Sequence, residues 1–556
     1  MSKIKRINPV ILKAGMSIGT GNAESDDDLL FECFVTYPPV DEALKIASAG
    51  MILAGRTGSG KTAILRYVEE QETHTSEVDP AEMSMNYVAN SDALRFLHAI
   101  GADLDLLFQV LWKHVLCLEF IRLRWGVDNA AKSATIFDKI VSKFTKDDRK
   151  KRAVAYLQEW GNKFWITMDQ NIKEITEAYE DKLNAVFGAE ISKFKAGGQY
   201  EKRLSTEKKS ELVARARDII SAEQLRDLHG VVEMLASTSN DDMQRCFILI
   251  DKLDERWVDE SIRFRLIRAL IASLKSFKAV RNLKILVALR TDILERVVQE
   301  TSDITFQREK FEDHFIHIKW SKNDLRQLVD KRISTVLRRQ YTGTNVLFKD
   351  VFTKNIKNKD PFDYMIERSH MRPRDLIAFV NECLTVADGQ YEIAPTHIQR
   401  AEAEYSRKRR DALVQEWKST FPSLSEMLSF ITSEKSVSIT YAALLSSAKL
   451  EELALSVGSA RKISYDPIHD HCQAVCDTKR NSKEALLAAV LSILYRVGAV
   501  SLKTREEDRF IVSHIDAPLV SPDLIGSSTH ARVHPMLHGA YRLNEYGQWK
   551  RASSTT

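Results

Sequence analysis

"MILAGRTGSGKTAILRY", Met51 to Tyr67, decides how the chain is read. Three glycines fall between Gly55 and Gly60, although the 556 residues hold only 21. The run Gly55, Arg56, Thr57, Gly58, Ser59, Gly60, Lys61, Thr62 has the spacing G-x-x-x-x-G-K-[ST] of a phosphate-binding P-loop. Met51 to Ala54 is apolar and predicts a buried strand, while Thr62 to Glu70 opens a helix. Glycines permit a tight loop whose backbone N–H groups converge on one point, and the positive end of the helix faces the same point. An anion belongs there. Lys61 is expected to reach the β- and γ-phosphates of a nucleotide, and the Thr62 hydroxyl to ligate Mg2+.

Such a loop needs a second strand to hold the metal, and "RCFILIDKLDERW", Arg245 to Trp257, supplies the candidate. Cys246 to Ile250 reads as a strand buried on both faces and ends in Asp251, a Walker B pattern. Asp251 is the expected Mg2+ residue, at the strand edge where open α/β sheets bind ligands. Asp254 or Glu255 offers a carboxylate to orient or deprotonate the attacking water, and the same carboxylates suit the cap of the following helix. The sequence does not choose between them.

The rhythm of strand and helix continues through "NLKILVALRTDILERV", Asn282 to Val297. Its strand ends in Arg290, at the same sheet edge, where a guanidinium can sense the γ-phosphate or simply stand in solvent. Farther on, "SHMRPRDLIAFVNECL" places Pro373 in a helix's first turn between Arg372 and Arg374. Cations gain nothing from that end of a helix dipole, so an opposing anion is expected, either a nucleotide phosphate met by Arg374 or a surface ion pair.

In this order the motifs resemble the AAA+-related STAND and origin-recognition-type ATPases. The chain is also similar to a bacterial group of P-loop ATPases with "IDxLDxxW" and "RPRD" motifs. The resemblance touches roughly residues 20 to 400 and is specific at the four motifs quoted. It implies an additional-strand P-loop sheet, ATP and Mg2+ as ligands, Arg290 as sensor 1 and Arg374 as sensor 2. Lys252 stands where many relatives carry glycine or a small residue, and the resemblance assigns no arginine finger.

Composition bounds the rest. Lys+Arg at 81 against Asp+Glu at 77 is too even to mark a nucleic-acid binder by itself, and 44% hydrophobic with 28% charged residues describes an ordinary globular chain. Six scattered cysteines make no disulfide framework, and the N-terminus lacks a long apolar run, so a cytoplasmic protein is expected. Ala485 to Tyr495 is too short to cross a bilayer and reads as a core helix.

The expected fold is α/β, a P-loop NTPase sheet (AAA+/STAND-like) with a helical insertion, a helical lid and a C-terminal winged-helix-like domain. The boundaries are 1–90 for the N-terminal segment and first part of the ATPase domain, and 91–240 for the insertion, interrupted only at Gly197-Gly198. The second part of the ATPase domain is 241–320, the lid 321–405 and the winged-helix-like domain 406–556. The wing is expected from two strand-like segments, Ala499 to Leu502 and Arg509 to Ile515, following a helix that ends at Gly498. Lys479, Arg480, Lys483, Lys503 and Arg505 are few cations for phosphate contacts and are mixed with Glu506, Glu507 and Asp508. DNA and a protein therefore both remain open as partners, beside the nucleotide and further copies of the chain, with no membrane.

One cluster suits zinc chemically: His469, His471, Cys472 and Cys476. No second pair at finger spacing follows, and both histidines are expected in a loop. His530, His534 and His538 read as packed or exposed residues.

The leading expectation is a Mg2+-dependent, slow ATPase switch whose nucleotide state sets the arrangement of the C-terminal module. Bacterial defence, signalling and DNA handling are suggested by analogy alone. The alternative is a nucleotide-gated binding module with negligible turnover.

Overall fold

The computed structural model describes residues 11–543, apart from 81–87, 89–90, 145–150, 197–203, 220–221, 239–243, 256–257, 259, 301–311, 341–344 and 460–465. The Gly197-Gly198 break and Trp257 therefore lie outside the described residues. The chain divides into two units, one of Thr36–Arg56 with Gly60–Lys319, the other of Met1–Val35, Thr57–Ser59 and Trp320–Thr556.

The first unit is built on a five-stranded parallel sheet of Ile52–Gly55 (β1), Thr75–Val78 (β2), Cys246–Ile250 (β3), Leu283–Arg290 (β4) and Phe315–His317 (β5). Their order across the sheet is β2-β3-β4-β1-β5. Every residue of β1 and β3 is buried, as expected for central strands covered on both faces. The registers set Gly55 beside Arg290 and Ile250 beside Val287, so the ends of β1 and β4 lie level at one sheet edge.

The long insertion between β2 and β3 is helical and shares the sheet's core. Its helix Asp105–Trp125 is buried almost all round and ends at Gly126, whose φ of 60° is the left-handed turn glycine adopts without strain. The Trp112 indole donates to Leu266 O at 3.0 Å, which ties this helix to Glu260–Phe277, the helix between β3 and β4. In the charged helix Met168–Ala196, Ile172, Ile175, Tyr179, Leu183, Phe187 and Ile191 recur at helical spacing and are buried. A sequence that looks sparse in apolar residues thus carries one continuous packing stripe.

In the second unit, helices Pro361–Glu367, Pro373–Val386 and Pro395–Trp417 each start at proline, whose fixed φ suits the first turn. Residues 11–35 belong here, held where Arg332 of helix Lys322–Gln340 donates to Ile18 O at 2.9 Å and pairs with Asp26, both side chains 4% exposed. Helix Pro395–Trp417 runs unbroken across the 405/406 boundary expected from sequence. The basic run there does not interrupt it, because Arg407, Lys408, Arg409 and Arg410 pair with Glu404, Glu382, Asp375 and Asp411.

The C-terminal part holds an antiparallel sheet of Ser438–Thr440 (β6), Val500–Lys503 (β7) and His530–Val533 (β8), in the order β6-β8-β7. Helix Ser482–Val497 precedes β7 and ends at Gly498 with φ 83°. The expected second wing strand, Arg509 to Ile515, touches β7 only through a bridge between Leu502 and Ile511, and β8 takes the ladder instead. Among the described residues, no helix is long and apolar enough to cross a membrane.

Candidate functional site

Between β1 and helix Lys61–Gln71 the chain makes its glycine-rich turn. Gly58 has φ 75° and Gly60 φ 97°, conformations that side chains resist, which is why this loop spends glycines there. Lys61 Nζ donates to Gly55 O at 3.3 Å and Arg56 O at 3.2 Å, folding its ammonium back over the loop. Burial lowers the Lys61 pKa, against the opposing pull of Asp254 and Asp251. The Thr57 and Ser59 hydroxyls are buried and make no hydrogen bond among the described residues. Polar groups left this way inside a protein carry a desolvation cost that a ligand can relieve.

Asp251 directly follows β3, at 8% exposure. Its carboxylate accepts from the Thr62 hydroxyl and from Lys252 N at 2.8 Å, yet burial still pushes its pKa up. A carboxylate and a hydroxyl side by side are the hard oxygen donors that Mg2+ takes, so these residues fit the metal. Lys252 holds φ 58°, which answers the departure noted in the sequence: a side chain occupies a left-handed position that suits glycine. Its Nζ reaches Asp79 Oδ2 at 2.8 Å, just past β2, a partner with no signal in the sequence.

The two carboxylates left open by sequence part company. Asp254 faces Arg290, with Nη1 to Oδ2 at 3.3 Å, while Arg290 also grips Asp292 through Nε at 3.0 Å and Nη2 at 2.7 Å. Glu255 is exposed, and its backbone carbonyl accepts from Arg263 Nη1 at 2.8 Å. Lys61, Asp251, Asp254, Arg290 and Asp292 thus interact at one end of the sheet. Arg290 is partly buried between acids rather than standing in solvent.

In the second unit, Arg372 is committed internally. It bonds Asp375 through Nε at 3.0 Å and Nη2 at 3.2 Å, and Glu416 and Thr57 O through Nη1 at 3.2 and 2.8 Å. Arg372 and Arg409 hold the fully buried Asp375 down to about 2, overcoming the burial that raises it. The anion that opposes Arg372 is therefore a carboxylate of the chain itself. Arg374 differs: its Nε donates to Gly21 O at 3.0 Å, and no carboxylate pairs with it among the described residues. Trp320 Nε1 holds Ser59 O at 2.8 Å, so Thr57 and Ser59 are each fastened by their carbonyls.

His469, His471, Cys472 and Cys476 lie on a helix, His469–Cys476, where a loop was expected for the histidines. Their metal-binding atoms form no convergent group among the described residues. Cys472 is fully buried and Cys476 Sγ lies 3.6 Å from Ala454 O, so this segment packs as a helix face.

No curated protein and no solved structure matches the chain. Residues 323–414, which span the helices from Lys322–Gln340 to Pro395–Trp417, match the family described as the FunZ-associated C-terminal helical domain.

Proposed function

We propose that this chain is a Mg2+-dependent ATPase switch of the P-loop class, with β1, the glycine-rich turn and Lys61–Gln71 as its phosphate-binding element. The observation that carries this reading is the Thr62 hydroxyl bonded to the Asp251 carboxylate beside Lys61, at one edge of the parallel sheet. The strand order supports it too, since β4 stands between the loop-bearing β1 and the aspartate-bearing β3, the additional strand that the resemblance implies. Lys61 and the loop N–H groups bind the phosphates, and Thr62 with Asp251 holds the metal. Bound Mg2+ supplies charge neutralisation on the β- and γ-phosphate oxygens. Asp254 orients the attacking water, and Arg290, one strand over, senses the terminal phosphate. Arg374 is the second sensor, for it lacks the carboxylate that occupies Arg372.

The C-terminal sheet and its helices are the output module, which we read as winged-helix-like. Lys483 pairs with Glu451, Lys479 with Asp477, and the 407–410 run with acids, which favours a protein over DNA as its partner.

A second reading, a nucleotide-gated binding module with negligible turnover, is favoured by one observation: the Asp254 carboxylate is engaged by Arg290. Labelled-ATP binding and phosphate release by wild type, Lys61→Ala and Asp251→Ala test both. Loss of binding in both folded variants is the expected outcome, and unchanged affinity would overturn the site. Tight binding by wild type without phosphate release selects the second reading.

A further inference from the structure

Away from this sheet, the second unit gathers three imidazoles. His370 lies in the turn before helix Pro373–Val386, His514 in the segment between β7 and β8, and His534 directly after β8. Their ring centroids stand 5.2 Å apart for His370 and His514, 4.8 Å for His370 and His534, and 5.8 Å for His514 and His534. The rings are tilted at 44°, 72° and 64° to one another and do not stack. One ligand atom from each lies within 4.8 Å of the others, and this is the group of its kind found among the described residues.

We propose that His370, His514 and His534 form a binding site for a divalent transition metal of the zinc class. Three neutral nitrogen donors suit Zn2+, whose sites with three protein ligands leave a fourth position to water or another small ligand. His370 Nε2 donates to Gly498 O at 3.0 Å, the outer carbonyl bond that fixes a metal-binding tautomer and leaves Nδ1 as the donor atom. His370 and His534 are 3% and 6% exposed, whereas His514 is only partly buried, so solvent reaches the cluster most readily at His514. Tetrahedral zinc sets its nitrogens about 3.4 Å apart. Reaching that spacing asks the ligand atoms, now within 4.8 Å of one another, to draw inward, and His514 lies in a segment outside any regular element.

His534 must change its bonding. Its Nδ1 accepts from Met536 N at 3.1 Å, so the neutral ring carries its proton on Nε2. Metal at Nε2 moves that proton to Nδ1 and gives up the Met536 bond; metal at Nδ1 takes the place of the Met536 N–H. Either way one backbone hydrogen bond at the Pro535–Leu537 turn is exchanged for a metal bond. Metal uptake would then tie the turn before the 373–386 helix to the two segments that flank the C-terminal sheet, all within one unit.

The test uses the full chain, stripped with chelator and titrated with Zn2+ against a chromophoric indicator, then with Co2+ for its d–d spectrum. Wild type is expected to take up one Zn2+ tightly, with a Co2+ spectrum free of thiolate charge transfer. His514→Ala, at the most exposed of the three rings, should weaken binding by roughly 100-fold or more, since losing even an outer-shell partner costs 10–100-fold. The double variant His471→Ala/Cys476→Ser should bind like wild type. The proposal is overturned if wild type takes up no Zn2+, if a folded His514→Ala keeps wild-type affinity, if the double variant loses the metal, or if Co2+ gives thiolate bands. Should His514→Ala fail to fold, His514→Gln and the wild-type Co2+ spectrum decide.

Discussion

Arg290 Nη1 lies 3.3 Å from Asp254 Oδ2 while the same guanidinium holds both oxygens of Asp292. Arg290 is 15% exposed and Asp292 5%, so removing the arginine strands a buried carboxylate. Arg290→Ala should destabilise the first unit by about 3 kcal/mol, read by thermal or urea unfolding. Asp254, at 30% exposure, contributes little to stability. Its loss is expected to appear in chemistry: Asp254→Asn should lower phosphate release by about 100-fold or more and Glu255→Gln by less. The reverse ranking would move the water-orienting role to Glu255.

Gly58 is fixed by backbone and by a neighbour at once. A Cβ there would come to 2.8 Å from the Arg374 Cβ, and φ is 75°. Gly58→Ala should cost about 1–2 kcal/mol from the left-handed backbone alone, with a further loss from the contact. Adding Arg374→Gly relieves the second part and leaves the first. A double-mutant cycle on unfolding free energy therefore gives a favourable coupling between the two substitutions, and strict additivity would refute the contact.

Lys252 sets strain against charge. Glycine at this position removes the left-handed penalty at φ 58° and also the ion pair with Asp79. Lys252 is 30% exposed, so that pair is worth less than about 1 kcal/mol. Lys252→Gly should be neutral to stabilising by about 1 kcal/mol, whereas Lys252→Val should destabilise. Both are checked by chemical unfolding without nucleotide.

How much of this could be read from the sequence follows from the range of the forces involved. β1, β3 and β4 were legible because a strand covered on both faces must be apolar throughout, and the glycine-rich turn because only glycine takes those φ values cheaply. The core helix at Ala485 to Tyr495 was legible for the same reason. The expected pairing of Ala499–Leu502 with Arg509–Ile515 was only half legible. Arg509 to Ile515 has strand composition, but β8, with its buried Ala531 and Val533, takes the ladder beside β7, and pairing is a tertiary choice. A helix runs across 405/406 because the basic run there, which reads as a linker in sequence, is neutralised by Glu404, Glu382, Asp375 and Asp411. Glu416 as an anion of Arg372 and Asp79 as the partner of Lys252 leave no local trace, since these contacts join residues 44 and 173 positions apart, whereas Asp375, three residues from Arg372, lay within the motif itself.

Lys284 offers a titration that touches none of the candidate site residues. It sits in β4 at 0% exposure, and its Nζ donates to Lys45 O at 3.2 Å and Ser48 O at 3.1 Å. Burial lowers its pKa from 10.5 to about 8, only partly offset by Glu42. Because the folded value is depressed, the folded state binds fewer protons than the unfolded state between these limits, so stability rises with pH there. The full contribution is present above 10.5 and is lost as pH falls through about 8. The span is on the order of 3 kcal/mol. Both carbonyls accept from a neutral amine as well as from a charged one, so the bonds persist through the titration. Lys284→Met removes the proton-linked part and strands the two carbonyls, a cost that does not vary with pH. The difference in unfolding free energy between wild type and variant should therefore change sharply between pH 8 and 10.5 and stay flat below, as urea unfolding across that range would show. A flat difference throughout would mean that the amine titrates alike in the folded and unfolded chain, against the burial of its side chain in the sheet.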